Sequence, residues 1–278
     1  MPAVSVTIIT LNEAAHIGAA IDSASWADEI VVVDSGSTDE TVAIARSKGA
    51  RVDVRAWTGY VDQKNFAATL ASHDWILSLD ADERVTPELA AEVRSVLASE
   101  PSYAGYRVPR VTHHLGRWIR TTDFYPDFQT RLYDRRRAQW RGKYVHESVH
   151  VDGPAGQLRH ELLHYSYRDL RDHLDRINRY STLAARQMLE TGRRAGVVDL
   201  LLHPPAAFLR NYILRKGIFD GAAGLTLSIV NSYAVFLKFA KLWELQHSPA
   251  SQATAESPPT NAGSPSARTK AQSPEPRA

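Results

Sequence analysis

The chain of 278 residues contains no cysteine. This absence excludes a disulfide framework and a thiolate metal site, and it is typical of proteins in a reducing compartment. The first residues also lack the basic segment, apolar stretch and cleavage site of a secretory signal peptide. We therefore expect a cytoplasmic protein.

The sequence has little excess charge of either sign, with a formal net charge of +2. Such a balance is not typical of a general polyanion binder. The charge is uneven along the chain, because residues 107–143 contain ten Arg or Lys against three Asp, a difference of +7. We expect an anionic partner to meet this segment.

Apolar runs and amphipathic segments alternate over the first hundred residues, which predicts an α/β protein with a parallel sheet covered by helices on both faces. Asn12 is expected to cap the first helix, and Ser37 with Glu40 has the spacing of a capping box for the second. The predicted strands are Val4–Thr10, Glu29–Asp34, 51–55 and 73–79, and the predicted helices are 12–23, a segment ending at Gly49, and 61–72.

The second half of the chain reads differently. We expect a charged helix over 169–190 and another that Pro204 and Pro205 open. Residues 221–237 contain no charged residue and are flanked by Arg or Lys on both sides. This segment is short for a membrane-spanning helix, which needs about 20 apolar residues. An interfacial or re-entrant membrane helix is favoured, and an ordinary buried helix is the alternative.

Asp80 and Asp82 follow the apolar run Trp75-Ile76-Leu77. A strand ending there would place both carboxylates at the carboxyl edge of the sheet, where open α/β sheets bind ligands. Oxygen ligands at this spacing suit Mg²⁺ or Mn²⁺ shared with a phosphate. The alternative is an acidic turn before a helix over 87–97, with Thr86 as its N-cap.

Three further segments are expected at the same edge: 10–13, 34–37 and 63–65. Asp34 could accept a hydrogen bond from a base or a ribose hydroxyl, and turn formation is the alternative. Lys64 could contact a phosphate, although a solvated helix face explains it as well.

Together these residues resemble the family 2 glycosyltransferases, nucleotide-sugar-dependent inverting enzymes of the GT-A fold. The resemblance covers about residues 4–165. It rests on four segments in order: Ile8-Ile9-Thr10-Leu11-Asn12-Glu13, Val33-Asp34-Ser35-Gly36-Ser37-Thr38-Asp39-Glu40-Thr41, Gln63-Lys64-Asn65 and Leu79-Asp80-Ala81-Asp82-Glu83.

The resemblance implies a role for each matched residue. Asp82 would bind the metal, and Asp80 would lie on the ribose or diphosphate side. His164 resembles a late histidine that many such enzymes use as a further metal ligand, with a packed structural histidine as the alternative. The remaining candidates for donor binding are Thr10, Asn12, Glu13, Asp34 and Lys64.

Within the family the chain looks most like the lipopolysaccharide inner-core β-1,4-glucosyltransferases. This closer similarity rests on Gly142 with Val145-His146-Glu147-Ser148, on His164-Tyr165-Ser166-Tyr167, and on segments from Asn211 to Glu244. It implies transfer of a hexose, glucose from UDP-glucose, to a lipopolysaccharide core or another lipid-linked saccharide at the cytoplasmic face of the inner membrane.

The resemblance also implies a division of the chain. Residues 1–100 would bind the nucleotide sugar and 101–167 would form the acceptor and catalytic half. A membrane-associated helical extension would span 168–247. The tail 248–278, which is dominated by Ser, Pro, Ala, Thr and Gln, is predicted to be disordered.

An inverting transfer needs one base to take the proton of the acceptor hydroxyl. Glu147 is our candidate, and Asp123 and Asp127 are its rivals. His146 could orient Glu147, although alternation along a strand would point the two side chains to opposite faces. Much of the family has an acidic Glu-Asp pair at this position, whereas this chain has His146-Glu147.

Two other functions remain open from sequence. A nucleotidyltransferase that makes nucleotide sugars would usually have a glycine-rich, basic loop after the first strand, which residues 10–16 lack. A saccharide-binding scaffold without turnover would not need Asp80, Asp82 and Glu147 together. Nucleic-acid binding would explain the basic segment but not the paired carboxylates beside it.

Overall fold

The computed structural model describes residues 2–142 and 147–248. Within these ranges the chain forms twelve strands and seven α-helices. The strands are β1 Val4–Thr10, β2 Glu29–Asp34, β3 Arg51–Val54, β4 Trp75–Asp80, β5 Glu83–Val85, β6 Gly105–His114, β7 Arg117–Ile119, β8 Asp127–Asp134, β9 Ala138–Arg141, β10 Ser148–Val151, β11 Gly156–Gln157 and β12 Leu162–His164.

The helices are α1 Ile17–Ser23, α2 Thr41–Ser47, α3 Tyr60–Leu70, α4 Pro87–Ala98, α5 Leu170–Glu190, α6 Val197–Leu209 and α7 Gly221–His247. The π-helical segment Arg210–Leu214 and the 3-10 turn Gly217–Asp220 connect α6 to α7, and a second 3-10 turn, Thr122–Phe124, lies between β7 and β8.

The main sheet has the strand order β3-β2-β1-β4-β8-β6-β12-β5. Strands β3, β2, β1 and β4 are parallel, as the alternating pattern predicted, whereas β8 runs antiparallel between β4 and β6. The chain passes from β1 outward to β3 and then returns to add β4 on the other side of β1. In open α/β sheets the crevice that binds ligands lies outside such a switch point, which here is at the carboxyl ends of β1, β2 and β4.

Continuous apolar runs make the parallel strands because both faces of the sheet are covered. Ile8, Val32 and Leu77 have no exposed surface, and helix α4 adds Leu89 and Val93 to the same core. Each fully buried aliphatic side chain contributes about 1.5–3 kcal/mol to folding. The core therefore holds the carboxyl edge of the sheet in a rigid position.

The predicted start of the first helix is wrong. Helix α1 begins at Ile17 with His16 as its N-cap. Asn12 instead has a positive φ of 54° in the turn after β1, and its side-chain oxygen accepts a hydrogen bond from the Thr38 N–H at 2.8 Å. Asn12 therefore ties together the two loops that follow β1 and β2.

The capping box predicted for the second helix is also wrong. Helix α2 begins at Thr41 with Glu40 as its N-cap. The Ser37 hydroxyl accepts from the Asn12 N–H at 2.8 Å and donates to Asp34. By contrast, Thr86 caps α4 as expected, because its hydroxyl accepts from the Leu89 N–H at 3.1 Å.

The last three helices pack against one another beyond the sheet. Helix α6 begins at Val197, so Pro204 and Pro205 lie inside it and do not open it as predicted. The uncharged run 221–237 forms part of the longer helix α7. Their shared core consists of Ala185, Ala195, Phe239 and Leu242, with Leu200 and Leu245 partly buried against it.

Candidate active site

Asp80 ends β4 at the carboxyl edge and is held by two cations. Lys64 Nζ lies 2.8 Å from one carboxylate oxygen, and Arg131 Nη2 lies 2.6 Å from the other. Burial alone would raise the pKa of Asp80, but the charges of Arg131 and Lys64 hold it well below its ordinary value. Asp80 is therefore an anion fixed in orientation before any ligand binds.

Lys64 does not lie on a solvated helix face, because its side chain is only 5% exposed. Its ammonium sits 4.2 Å from the centroid of the Trp140 ring, which adds a cation–π contact. The Asn65 side chain bonds both the N–H and the C=O of Trp140 at 3.0 Å. These contacts dock the small β9–β10 sheet on α3 and aim Lys64 at Asp80.

Glu83 is a structural residue of the site to which the sequence analysis assigned no role. It is fully buried and accepts hydrogen bonds from Arg131 at 2.5 Å and from Arg110 at 2.9 Å. Its other oxygen accepts from the Asp80 N–H at 3.0 Å. In the sequence, the only indication of this role is that a third acid directly follows Asp82. Glu83 fixes the acidic turn by bonding the Asp80 backbone and both arginines.

Asp82 and His164 converge although 82 positions separate them in the chain. Strand β12 pairs with β5 and β6, which brings His164 Nε2 to 3.4 Å from an Asp82 oxygen. The other ring nitrogen lies 3.4 Å from the Thr112 hydroxyl. Burial alone would raise the pKa of Asp82, but the hydrogen bond and charge of His164 hold it below its ordinary value.

Asp82 supplies a carboxylate, the ligand type that suits Mg²⁺ or Mn²⁺. His164 supplies an imidazole, a general ligand of divalent metals, whose second nitrogen lies next to a hydroxyl. Among the described residues no group of three or more His, Asp or Glu side chains could hold a metal ion. Asp82 and His164 are the side chains at this edge that could hold a divalent metal ion.

Glu13 faces the same crevice from the loop after β1. Burial, and then the negative charge of Asp82, raise the pKa of Glu13 to about 7. Its backbone N–H donates to the Thr41 hydroxyl at 2.8 Å, which fixes the loop against α2. The carboxyl group of Glu13 is thus poised to change its protonation state near neutral pH.

Asp34 is 1% exposed and accepts from the N–H groups of Gly36 at 2.9 Å and Ser37 at 2.8 Å. Turn formation therefore accounts for part of its role. Nearby, Thr10 Oγ1 and Gln63 Oε1 are buried without a hydrogen-bond partner among the described residues. Orphaned polar atoms at a crevice mark unused hydrogen-bonding capacity that a ligand can satisfy.

Glu147 lies directly before β10 and is half-buried, and its Oε2 is buried without a hydrogen-bond partner in the described part of the chain. The next residue, Ser148, pairs with Arg141 on β9, and β9 also carries Trp140, whose ring contacts Lys64. Lys64 in turn bonds Asp80, so the β9–β10 pair brings Glu147 to the same edge of the sheet. His146, the predicted orienting partner of Glu147, lies outside the described residues.

The rival bases are both held in ion pairs. Asp127 accepts from Arg110 at 2.6 and 2.8 Å and from Gln129 at 2.6 Å. Burial alone would raise the pKa of Asp127, but the charge of Arg110 and the Gln129 hydrogen bond lower it. Ion pairing makes this carboxylate a weak base.

Asp123 serves as an anchor for the C-terminal helices. Asn211 and Asn231 donate to its carboxylate at 3.1 and 2.7 Å, and Arg210 also bonds to it. Burial alone would raise the pKa of Asp123, but these hydrogen bonds and the charge of Arg210 lower it. Its contacts join the 3-10 turn Thr122–Phe124 to the π-helical segment and to α7.

The basic segment 107–143 uses much of its charge inside the protein. Arg110 and Arg131 hold the acidic turn, and four other arginines form ion pairs elsewhere. These pairs are Arg117 with Asp220, Arg120 with Glu161, Arg135 with Asp74, and Arg136 with Asp134 and Asp74. The excess of positive charge seen in the sequence is therefore largely structural.

Comparison with known proteins places this geometry in a family. Residues 5–160 match the model of glycosyl transferase family 2. A lipopolysaccharide core biosynthesis glycosyltransferase, LpsC of Rhizobium meliloti, is 34% identical over 86% of this chain and 92% of that protein. An uncharacterized glycosyltransferase of Rickettsia bellii is 35% identical over 87% of this chain and 86% of its own length.

A partial structural similarity was also found. Glucosyl-3-phosphoglycerate synthase from Mycobacterium tuberculosis, crystallised with Mn²⁺, uridine diphosphate and glucosyl-3-phosphoglycerate, is 25% identical over 40% of this chain and 44% of that chain, with a TM-score of 0.35. Family membership rests instead on the family model and the relatives matched over most of their length. The fold is of the GT-A type, and this chain belongs to glycosyl transferase family 2.

Proposed function

We propose that this glycosyltransferase moves glucose from UDP-glucose, with inversion, to a saccharide of the lipopolysaccharide core or another lipid-linked acceptor. The observation that carries the proposal is the convergence of Asp80, Asp82 and His164 at the carboxyl edge of the sheet. Glu147, whose Oε2 has no hydrogen-bond partner among the described residues, lies at the same edge. The relative LpsC, named for lipopolysaccharide core biosynthesis, supports the acceptor class.

Each residue has a task in this reaction. Glu147 takes the proton of the acceptor hydroxyl while the hydroxyl oxygen attacks the anomeric carbon from the face opposite the diphosphate. Asp82 and His164 would hold Mg²⁺ or Mn²⁺, which stabilises negative charge on a departing diphosphate. Lys64, already buried beside Asp80, supplies positive charge of the protein's own near the same group.

The nucleoside would occupy the ends of β1 and β2. Thr10 Oγ1 and Gln63 Oε1 are unused there among the described residues. Asp34 Oδ2 already accepts two hydrogen bonds, whereas Oδ1 accepts one, from the Ser37 hydroxyl, and keeps a lone pair for a base or ribose group. Asn12 holds the two loops together through the Thr38 N–H. Glu13 borders the pocket beside Asp82, so binding of a cation would favour its ionised form.

A calorimetric panel of UDP-, GDP-, CMP- and dTDP-sugars, each with and without Mn²⁺, tests the donor assignment. We expect UDP-glucose to bind in a Mn²⁺-dependent manner and the other nucleotides to bind at least tenfold more weakly, because buried unpaired groups penalise a mismatched base by about 1–3 kcal/mol. Tight binding of another nucleotide sugar in place of UDP-glucose would contradict the donor assignment.

We propose peripheral membrane attachment through one apolar face. By length and composition, the segment Gly217–His247 is long and apolar enough to cross a membrane. An 18-residue stretch of it has a mean hydropathy of 1.3, and 28% of that stretch is buried in the protein. Helix α6 and the turns before α7 also expose many apolar side chains. This pattern favours a layer of helices that lies on the membrane surface and does not cross the membrane. This apolar face consists of Val197, Val198, Leu201, Leu202, Leu209, Ile213, Leu214, Ile218, Phe219, Leu225 and Ile229.

Substitution at the apolar face is expected to weaken binding to anionic phospholipid vesicles. Phe219 is 80% exposed and Leu214 is 77% exposed, so Glu at either position should leave folding intact. Losing the burial of one such side chain, about 1.5–3 kcal/mol, should weaken vesicle binding about tenfold or more.

Vesicle flotation of Leu214→Glu and Phe219→Glu measures this effect. Val54→Glu is the matched control, because Val54 is 57% exposed on β3 at the far edge of the sheet. Equal flotation of all three variants and the unmodified protein would rule out the apolar face as the attachment site.

A further inference from the structure

Three aromatic side chains border the crevice without any part in the chemistry proposed above. Trp57 and Tyr60 lie at the junction of β3 and α3, and Tyr180 lies on α5. Their exposed fractions are 47%, 43% and 46%. We call Trp57, Tyr60 and Tyr180 the aromatic rim.

The position of Tyr60 follows from helix α3. Tyr60 and Lys64 are four residues apart, so they share one face of the helix. Lys64 on this face reaches Asp80 at 2.8 Å. Tyr60 therefore lies on the face of α3 that carries Lys64, one turn towards the N-terminus of the helix.

Tyr180 approaches the same place from a different element. Arg176 on α5 lies 5.2 Å from the centroid of the Tyr167 ring, and Tyr167 comes three residues after His164, where β12 ends. Tyr180 is four residues beyond Arg176 and therefore lies on the same face of α5. Helix α5 thus runs beside the edge where His164 meets Asp82, and Tyr180 is among the groups that raise the pKa of Tyr60.

The rim is ordered before any ligand binds. The rings of Trp57 and Tyr60 meet edge to face, 4.7 Å between centroids. Arg55 donates to Asp62 at 2.7 Å, and the Thr58 hydroxyl also bonds to Asp62. Gly59 has φ +113°, a conformation that side-chain-bearing residues rarely adopt. The loop therefore presents two fixed rings at little entropic cost of binding.

Exposed, pre-ordered aromatic faces beside a polar catalytic group suit a ligand with both apolar and hydroxyl surfaces. A pyranose ring has this character, because its C–H groups form an apolar face and its hydroxyls lie at the edge. A nucleobase is the competing occupant of an aromatic face. The unused polar atoms suited to a base, Thr10 Oγ1 and Gln63 Oε1, are buried, whereas the rim is exposed.

We propose that the aromatic rim is the subsite for the acceptor sugar, stacking its pyranose ring so that the accepting hydroxyl faces Glu147. This inference rests on the proposed glycosyl transfer and extends it by naming the residues that recognise the acceptor. The rim would hold the ring through contact with its C–H face, whereas Glu147 acts on one of its hydroxyls.

Saturation-transfer NMR tests the subsite without turnover. The probes are the methyl glycosides of glucose, galactose, mannose and heptose, each added to the protein with UDP and Mn²⁺. We expect saturation of ring C–H protons of at least one glycoside, and loss of most of that signal in Tyr60→Ser and Tyr180→Ser. Tyr60→Phe should retain the signal because it keeps the ring.

Tyr233→Ser is the control, because Tyr233 is 45% exposed on α7. In transfer assays to core oligosaccharide released from lipopolysaccharide, Tyr60→Ser should raise the acceptor KM about tenfold, the effect of losing one aromatic contact. The dissociation constant of UDP-glucose should stay within about twofold.

The results separate this inference from the proposed function. If the unmodified protein binds no nucleotide sugar, the proposed function fails and the subsite fails with it. If it binds UDP-glucose but no glycoside, or if Tyr60→Ser weakens UDP-glucose as much as the acceptor, only the subsite is overturned. Unchanged glycoside signals in all rim variants would overturn it as well.

Discussion

Glu147→Gln is expected to lower the rate of sugar transfer by about 10²–10⁴-fold, the usual contribution of a positioned general base. The amide keeps the size of the carboxylate but cannot take the proton of the acceptor hydroxyl. Because Glu147 Oε2 has no hydrogen-bond partner among the described residues, the substitution should leave the fold and the dissociation constant of UDP-glucose almost unchanged. Single-turnover kinetics with saturating donor and acceptor measure the rate.

Asp127→Asn is the matched control for the base. The carboxylate of Asp127 is paired with Arg110, so its loss should lower the free energy of unfolding more than Glu147→Gln does. Its transfer rate per folded molecule should fall less than tenfold. Rapid transfer by Glu147→Gln, together with a much larger loss in Asp127→Asn or Asp123→Asn, would move the role of base to that aspartate.

Asp82→Ala is expected to abolish metal-dependent turnover. Asp82 is the carboxylate that meets His164, at 3.4 Å, and a variant without it retains only the imidazole of that pair. Loss of one of two protein ligands should weaken Mn²⁺ binding by at least 10²-fold, because the carboxylate carries the charge that neutralises the cation. Calorimetric titration of Mn²⁺ in the presence of UDP measures this directly.

Asp22→Ala controls for the loss of a carboxylate as such. Asp22 is an exposed residue paired with Lys48, so Mn²⁺ affinity and turnover should match those of the unmodified protein. Chelation with EDTA should reduce turnover of the unmodified protein to the level of Asp82→Ala. Mn²⁺-stimulated transfer that survives in Asp82→Ala would exclude Asp82 as the metal ligand.

Local patterns in the chain were sufficient for the parallel strands and for the position of the acidic pair. Val4–Thr10 and Glu29–Asp34 are continuous apolar runs, and burial on both faces of a sheet demands such runs. Thr86 caps α4 for an equally local reason, since the donor it satisfies lies three residues away. Asp80 ends β4 because the apolar run ends there.

Contacts between distant segments could not be read from these patterns. Asn12 and Ser37 are residue types that often cap helices, yet here they form hydrogen bonds between the loop after β1 and the loop after β2. A cap and a loop tie use the same side-chain chemistry, and only the folded chain brings the second partner within reach. The sequence did not indicate whether these side chains would cap a helix or join the two loops.

The same reasoning applies to charge. Arg131 and Glu83 are 48 residues apart. Arg131 forms buried ion pairs with both Glu83 and Asp80, and these pairs depend on β8 running antiparallel beside β4. Sequence alone therefore identified the acidic residues and the family, because these are carried by short ordered motifs. The pairing of the basic segment, the meeting of Asp82 with His164 and the placement of the aromatic rim arose from strand order and helix docking, because electrostatic and packing partners are set by distance in space.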